Sequence, residues 1–253
     1  MTDLQSVMVA FSGGIDSSLV LKVAHDALGR QALGVTASSP TLPQAELDDA
    51  RRIAQEIGAC HEVVQTDQLT ILEFVQNDAR RCYHCKTDLY QLLDGLRDTR
   101  GFRWVVDGTN LDDLTDDRPG LMAARQWHVR SPLVEAGLTK ADVRRLAREL
   151  GLTAWDKPAA ACLSSRIPRG APITIEKLQR VEKAEAILYG LGFRHVRVRD
   201  HGDIARIELG SGELERMNQP DLRSVVARGL RNIGFQFVCV DLEGYRAGGV
   251  SQS

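Results

Sequence analysis

Four segments in the first part of the chain, the apolar run at 7–11 and the stretches at 32–37, 61–65 and 104–107, read as strands. Between them, residues 45–57 carry apolar side chains at helical spacing. Thr139-Lys140-Ala141-Asp142 is a capping-box-like start for a helix running to Leu150. Strands alternating with helices predict a parallel, doubly wound α/β sheet, which binds ligands at the carboxyl ends of its strands. After Gly151 the pattern changes. A loop with Pro158, Pro168, Gly170 and Pro172 leads to a predicted helix over 174–189, strands over 195–200 and 204–209, a helix over 221–232 and a last strand over 235–242. The expected organisation is therefore a domain over 1–159 and a smaller α+β domain over 160–253, with no repeats and no low-complexity segment.

Composition narrows the class. With 43% hydrophobic and 26% charged residues in 253, the chain can bury a full core, and no apolar run approaches membrane-spanning length. No leader precedes the strand at Val7, so the cytoplasm is the expected location and no membrane partner is implied. The net charge of -2 gives no global attraction to nucleic acid, although a local basic groove stays open. Five cysteines, an odd number, argue against a disulfide framework and ask for a metal or a reactive thiol.

Straight after the first apolar run stands Ser12-Gly13-Gly14-Ile15-Asp16-Ser17. Two adjacent glycines allow a tight turn and close approach of backbone to a ligand, and the following helix start offers free amides and a positive dipole end to an anion. An ordinary strand-to-helix turn would explain the glycines but not the hydroxyls on both sides of them. The segment resembles the PP-loop, SGGxDS, of ATP pyrophosphatases. It lacks the lysine of a Walker A loop, which disfavours a kinase or GTPase.

Cys82-Tyr83-His84-Cys85, expected just ahead of a helical stretch over 86–96, is moderately specific. Such a pair serves zinc sites, thiol redox pairs and iron–sulfur clusters alike. No second pair completes a zinc site, and the surroundings are not thioredoxin-like. Cys162 adds a third thiol in the loop Ala161-Cys162-Leu163-Ser164-Ser165-Arg166, and three thiolates suit a [4Fe-4S] cluster with one iron open. Cys60, beside a strand, and Cys239, within the apolar run 237–240, read as buried thiols.

Taken together, the SGGIDS loop, Arg81-Cys82-Tyr83-His84-Cys85-Lys86, Asp107-Gly108-Thr109-Asn110, Asp116-Asp117-Arg118-Pro119-Gly120, Ser164-Ser165-Arg166 and Val196-Arg197-Val198-Arg199 resemble the LarE family over residues 6–246. The resemblance implies a PP-loop ATP pyrophosphatase domain of the adenine nucleotide alpha hydrolase-like kind followed by a substrate-binding and oligomerisation domain. The implied activity adenylates the carboxylates of pyridinium-3,5-biscarboxylic acid mononucleotide and replaces an oxygen of each with sulfur, for the nickel-pincer cofactor of lactate racemase. One branch of the family sacrifices its own cysteine sulfur, four positions before the second Ser of SSR. This chain has Ala161 there. It resembles instead the branch in which three cysteines, here Cys82, Cys85 and Cys162, hold a [4Fe-4S] cluster and sulfide or another donor supplies the sulfur.

The resemblance also implies roles. Ser12, Gly13, Gly14, Asp16, Ser17, Thr36 and Gly108 would bind ATP with Mg2+, and Asp16, Cys162 and Ser165 would serve catalysis. Arg197 and Arg199, two apart on one strand, project to one side and would grip the phosphate of the nucleotide substrate, with Ser165 and Arg166 as further contacts. By base rate such a pair is a solvated face. Glu185 and Glu208 fall where the family has acidic divalent-metal ligands, and the third acidic position, near Glu213 and Glu215, stays open. A homo-oligomer is implied as well. Two other readings compete. A PP-loop tRNA thiolase carries a similar cluster, but no RNA-binding module or basic run is evident and the pI near 6.3 disfavours it. A non-enzymatic nucleotide-binding protein with structural zinc leaves Cys162 and the SSR loop without a role.

Overall fold

A computed structural model describes residues 1–115, 119–157 and 161–245. Asp116, Asp117 and Arg118 of the acidic segment, and Pro158, Ala159 and Ala160 ahead of Cys162, lie outside the described residues. The chain clusters into two compact units, one from Met1–Phe74 and Arg80–Ala160, the other from Val75–Ala79 and Ala161–Ser253.

The first unit holds a four-stranded parallel sheet of β1 (Val7–Ala10), β2 (Ala32–Ser38), β3 (Cys60–Gln65) and β4 (Trp104–Val106), in the order β3-β2-β1-β4. The central strand β1 is an unbroken apolar run because both of its faces are covered. Val7 and Val9 pack into one core with α1 (Ile15–Leu28), α2 (Gln44–Ile57) and, further along the chain, a helix at Lys140–Glu149. Met8 points to the opposite core, where Tyr90, Leu93, Ala123 and Ala124 close over the sheet. Connections run outward from β1 to β2 and β3 and then jump back to β4. The switch point therefore lies between the carboxyl ends of β1 and β4, where such sheets bind ligands. The remaining helices are α3 (Leu72–Val75), α4 (Arg81–Arg100), α5 (Pro119–Gln126), α6 (Pro132–Glu135) and α7 (Lys140–Glu149). The box expected at the start of α7 forms: the Thr139 side chain accepts from the Asp142 amide, and the Asp142 carboxylate accepts from the Thr139 amide at 3.1 Å.

Two expectations about the cysteines change. Cys82 and Cys85 do not precede a helix but lie within the first five residues of α4, which begins at Arg81 because the Tyr83 and His84 amides bond back to the Arg80 carbonyl. Cys60 and Cys239 are exposed rather than buried, since each lies on a strand at the edge of its sheet.

The second unit is α+β. An antiparallel hairpin of β5 (Val196–His201) and β6 (Ile204–Leu209) is joined in parallel by β7 (Phe237–Val240), shorter than the run 235–242. Phe235 is buried but belongs to the exit from the helix before it, its amide bonding to the Leu230 carbonyl. Helices α8 (Ile175–Gly190), α9 (Leu214–Met217) and α10 (Pro220–Asn232) complete the unit, and Leu188, Phe193, Val196, Ile207, Val226 and Leu230 form its core. The short segment 75–79 is tied in by Asn77. Its backbone is left-handed (φ 57°), a conformation asparagine tolerates, and its side-chain amide donates to the carbonyls of Ile167, Pro168 and Ala171 at 3.3, 2.7 and 3.0 Å. Among the described residues no helix is long and apolar enough to cross a membrane.

Candidate functional site

The loop from β1 to α1 is shaped by what glycine permits. Gly13 has φ 69°, and a Cβ there would meet the Ala50 backbone of α2 at 2.8 Å, so this glycine seats the loop on the neighbouring helix rather than lining the ligand space. The serines then brace the turn. Ser17 Oγ donates to the Gly14 carbonyl at 3.1 Å and lies 3.2 Å from the Ser12 hydroxyl, whose oxygen accepts from the Gly14 amide at 3.3 Å. Across the switch point a Cβ at Gly108 would come within 2.7 Å of the Ser17 nitrogen, so the end of β4 can touch the first turn of α1 only as glycine.

These elements enclose a cavity of about 450 Å³, the size range of small-ligand sites. Ser12, Gly14, Asp16, Ser17, Thr36 and Gly108 all line it. Thr36 is fixed by donating to the Phe11 carbonyl at 2.8 Å, while His61 Nε2 lies 2.8 Å from its hydroxyl. Burial, helped by the charge of Arg51, holds His61 below the usual histidine range. Asp107 is buried and accepts from the Tyr90 hydroxyl (3.0 Å), Thr109 Oγ1 (2.8 Å) and Ser131 Oγ (2.8 Å). Burial pushes the Tyr90 hydroxyl up to about 12.

Three polar residues of this cavity and its rim were given no role by the sequence. Lys86 lines the wall with Nζ 5.3 Å from the centre of the Tyr90 ring, and the charge of Tyr90 first, then of Asp107, holds its ammonium above the usual lysine range against the cost of burial. Asn110 Nδ2 donates to Asp16 Oδ1 at 3.1 Å, and Lys140, at the start of α7, donates to Asp16 Oδ2 at 2.5 Å. The signals were present, since Lys86 directly follows the CxxC pair and Asn110 ends the DGTN segment. Nothing local, however, ties residue 140 to residue 16.

In the same unit Cys82 is exposed and Cys85 half-buried, neither in a disulfide and the two about one helical turn apart on α4. In the second unit Cys162 is half-buried and free, and caps the single turn Leu163–Arg166 with its Sγ 2.9 Å from Ser164 Oγ. Arg166 is buried in a two-bond pair with Glu185 (2.9 and 3.0 Å), and Arg199 in another with Glu208 (2.8 and 2.9 Å). Arg197 emerges on the same side of β5 but is half-exposed, stacked 5.2 Å from the Tyr245 ring centre. Glu213 accepts the backbone amides of Arg194 and His195 at 2.7 and 3.1 Å, and Glu215 is exposed. Among the described residues no three His, Cys, Asp or Glu side chains gather as a metal-ligating group.

The NAD synthase family model matches residues 1–87, the part that contains the glycine loop. An uncharacterised protein of Synechocystis sp. strain PCC 6803 is 46% identical over 246 residues, covering 97% of this chain and 92% of its own length. The pyridinium-3,5-bisthiocarboxylic acid mononucleotide synthase of Lactiplantibacillus plantarum is 43% identical over 249 residues, 98% of this chain and 90% of that protein. An uncharacterised protein of Methanocaldococcus jannaschii is 29% identical over 243 residues, 96% of this chain and 92% of its own length. The parallel sheet, the glycine loop at its switch point and these similarities together give a PP-loop ATP pyrophosphatase fold, which implies ATP with Mg2+.

Proposed function

Because the chain belongs to the LarE family of pyridinium-3,5-bisthiocarboxylic acid mononucleotide synthases, we propose that it adenylates the carboxylates of pyridinium-3,5-biscarboxylic acid mononucleotide and converts them to thiocarboxylates, for a nickel-pincer nucleotide of the lactate racemase kind. The observation that carries this reading is the near-complete alignment with a synthase named for that product, in a chain whose glycine loop closes a nucleotide-sized cavity.

A carboxylate oxygen is a poor leaving group. In the first step it attacks the α-phosphorus of ATP, and pyrophosphate departs. In the second, sulfide attacks the acyl carbon, and AMP departs with the former carboxylate oxygen. Ser12, the Gly14 amide, Ser17 and the N-terminus of α1 receive the developing pyrophosphate charge. Asp16, steadied by Asn110 and Lys140, would hold the Mg2+ that accompanies the phosphates, whose charge the ion would offset. Thr36 and Gly108 line the same cavity and would close it around the nucleotide. Arg197 contacts the phosphate of the mononucleotide, and Ser165 its reacting end.

Cysteine thiolates are the usual ligands of an iron–sulfur cluster, and Cys82, Cys85 and Cys162, none of them in a disulfide, would be its protein ligands here. Bound there, the cluster would supply an open iron at which hydrosulfide is held as a nucleophile. Ala161 stands at the position of the sacrificial cysteine of the other branch, so in this reading the sulfur comes from outside and the protein turns over. The same membership supports a homo-oligomer working in the cytoplasm.

The test is the product of ATP cleavage. Wild-type protein is expected to release AMP and pyrophosphate only when the mononucleotide is present, and Asp16→Asn is expected to abolish that release. ADP as the main product would exclude the mechanism.

A further inference from the structure

Two buried arginine–glutamate pairs flank the turn that carries Cys162 and Ser165, and both are built the same way. Arg166 spends the fork of its guanidinium, Nε and Nη2, on the two oxygens of Glu185. Its remaining nitrogen, Nη1, donates to the carbonyls of Ala161 (2.6 Å) and Cys162 (2.9 Å) and to Ser165 Oγ (3.0 Å). Arg199 gives the same fork to Glu208, and its Nη1 donates to the Ser165 carbonyl at 2.6 Å. The backbone on both sides of the turn is thus held by the third edge of a guanidinium whose orientation a carboxylate sets. Glu185 comes from α8 and is itself anchored, accepting the Val198 amide at 3.0 Å. Glu208 comes from β6 and also accepts from Arg206 at 3.1 Å.

We propose that Glu185 and Glu208 are positioning residues that fix the cysteine turn through Arg166 and Arg199, and that neither holds a divalent cation. This rests on the reading above, in which Cys162 and Ser165 act on the second substrate. The donor chemistry does not suit a metal. The oxygens of each carboxylate already accept three N–H bonds, and a dication there would sit against a buried guanidinium. Glu213, a candidate third ligand, is engaged by two backbone amides. What the pairs offer instead is geometry, because a planar five-donor guanidinium can satisfy a carboxylate on one edge and backbone carbonyls on another, and lysine cannot. A glutamine in place of either glutamate keeps the shape but turns an NH2 group toward guanidinium N–H donors, which breaks the fork.

The experiment uses the full chain as Glu185→Gln, Glu208→Gln and Arg199→Lys, the last keeping a charge partner for Glu208 while removing the strap to Ser165. Hydrogen exchange of the Ser165 and Ile167 amides, which bond to the Cys162 and Ser164 carbonyls, reads the turn directly. Each variant is expected to raise that exchange by about tenfold or more, while amides of β1 stay as protected as in the wild type. Mn2+ alone, followed by electron paramagnetic resonance, is expected to bind the wild type and the glutamine variants with equal stoichiometry. The sulfur-transfer kcat is expected to fall with the KM for ATP little changed. Unaltered exchange at Ser165 in Glu208→Gln and Arg199→Lys, or a Mn2+ ion present in the wild type and lost with either glutamate, overturns the proposal. If the wild type makes no thiocarboxylate at all, the functional reading fails, and the exchange and Mn2+ results still decide the role of the two glutamates.

Discussion

Replacing Gly108 by alanine tests whether the end of β4 and the first turn of α1 meet as closely as the ATP cavity requires. The added Cβ would lie 2.7 Å from the Ser17 nitrogen, 3.0 Å from the Asp16 carbonyl carbon and 3.1 Å from Asp16 Cβ. Ordinary contact begins at 3.4 Å, so the two segments must part by about 0.7 Å, and two of the three obstructing atoms are backbone that cannot rotate away. Overpacking of this kind costs about 1 to 3 kcal/mol. The helix start that moves is also the seat of the phosphates, and the displaced loop carries Asp107 and Asn110, which shape the cavity and hold Asp16. ATP binding should therefore weaken roughly 5- to 140-fold at about 1.4 kcal/mol per decade, measured by calorimetry with Mg2+ and a non-hydrolysable analogue. Gly95→Ala is the matched control. It lies on an exposed face of α4 with nothing within 4 Å of the new Cβ, and should leave ATP binding unchanged while stabilising the helix by up to about 1 kcal/mol. An ATP affinity in Gly108→Ala within twofold of wild type, with an unchanged melting temperature, would refute the close approach and with it the shape of the cavity.

The other expected outcomes are brief. Cys82→Ala, Cys85→Ala and Cys162→Ala should each lose most of the iron taken up on anaerobic reconstitution, whereas Cys60→Ala and Cys239→Ala keep it; full iron in Cys162→Ala would sink the three-ligand assignment. Arg197→Ala removes a charge-assisted phosphate contact commonly worth about 1.5 to 3 kcal/mol, so mononucleotide binding should weaken roughly tenfold or more with ATP binding near normal. Loss of ATP affinity instead would place Arg197 at the other ligand. His61, held below its usual value near 6.5, contributes stability that is complete above that pH and lost as pH falls through its folded-state value, because the unfolded chain takes up the proton first. His61→Gln should flatten that part of the stability profile in pH-dependent denaturant melts, and an unchanged slope would contradict the assignment.

What the sequence shows clearly is what is local. The strand–glycine–helix order at residues 7–18 contains its own turn chemistry, and the Thr139–Asp142 box reads directly because both partners lie within one turn. The start of α4 was legible only in part. Its capping partner is the backbone of Arg80, whereas Cys, Tyr and His have only middling helix propensity, so helical periodicity in the sequence begins at Lys86. Exposure of Cys60 and Cys239 depends on which strands end up at sheet edges, a property of topology that a single strand does not encode. Glu185 and Glu208 stand out in the sequence only through the family resemblance, as acids at divalent-metal positions, because their guanidinium partners lie 19 and 9 residues away and meet them only in the folded unit. Lys140 is the extreme case, 124 residues from the Asp16 carboxylate it bonds.

The stitch made by Asn77 sets a timing problem for the growing chain. Its side chain serves carbonyls that lie 90, 91 and 94 residues further on, and the Val75 carbonyl likewise waits for the Ile173 amide. At a translation rate of about 5 to 20 residues per second, that delay is roughly 5 to 20 s after residue 77 has been made. During that interval the strands and helices of the first unit are completed on both sides of a short stretch whose own partners do not yet exist. A cut after residue 157 yields no self-sufficient C-terminal fragment, since the piece released lacks residues 75–79 and leaves the Ile167, Pro168 and Ala171 carbonyls without their donor. Placing the two units on separate polypeptides would require transplanting that stretch as well, so their order along the chain is not that of a simple fusion of two parts.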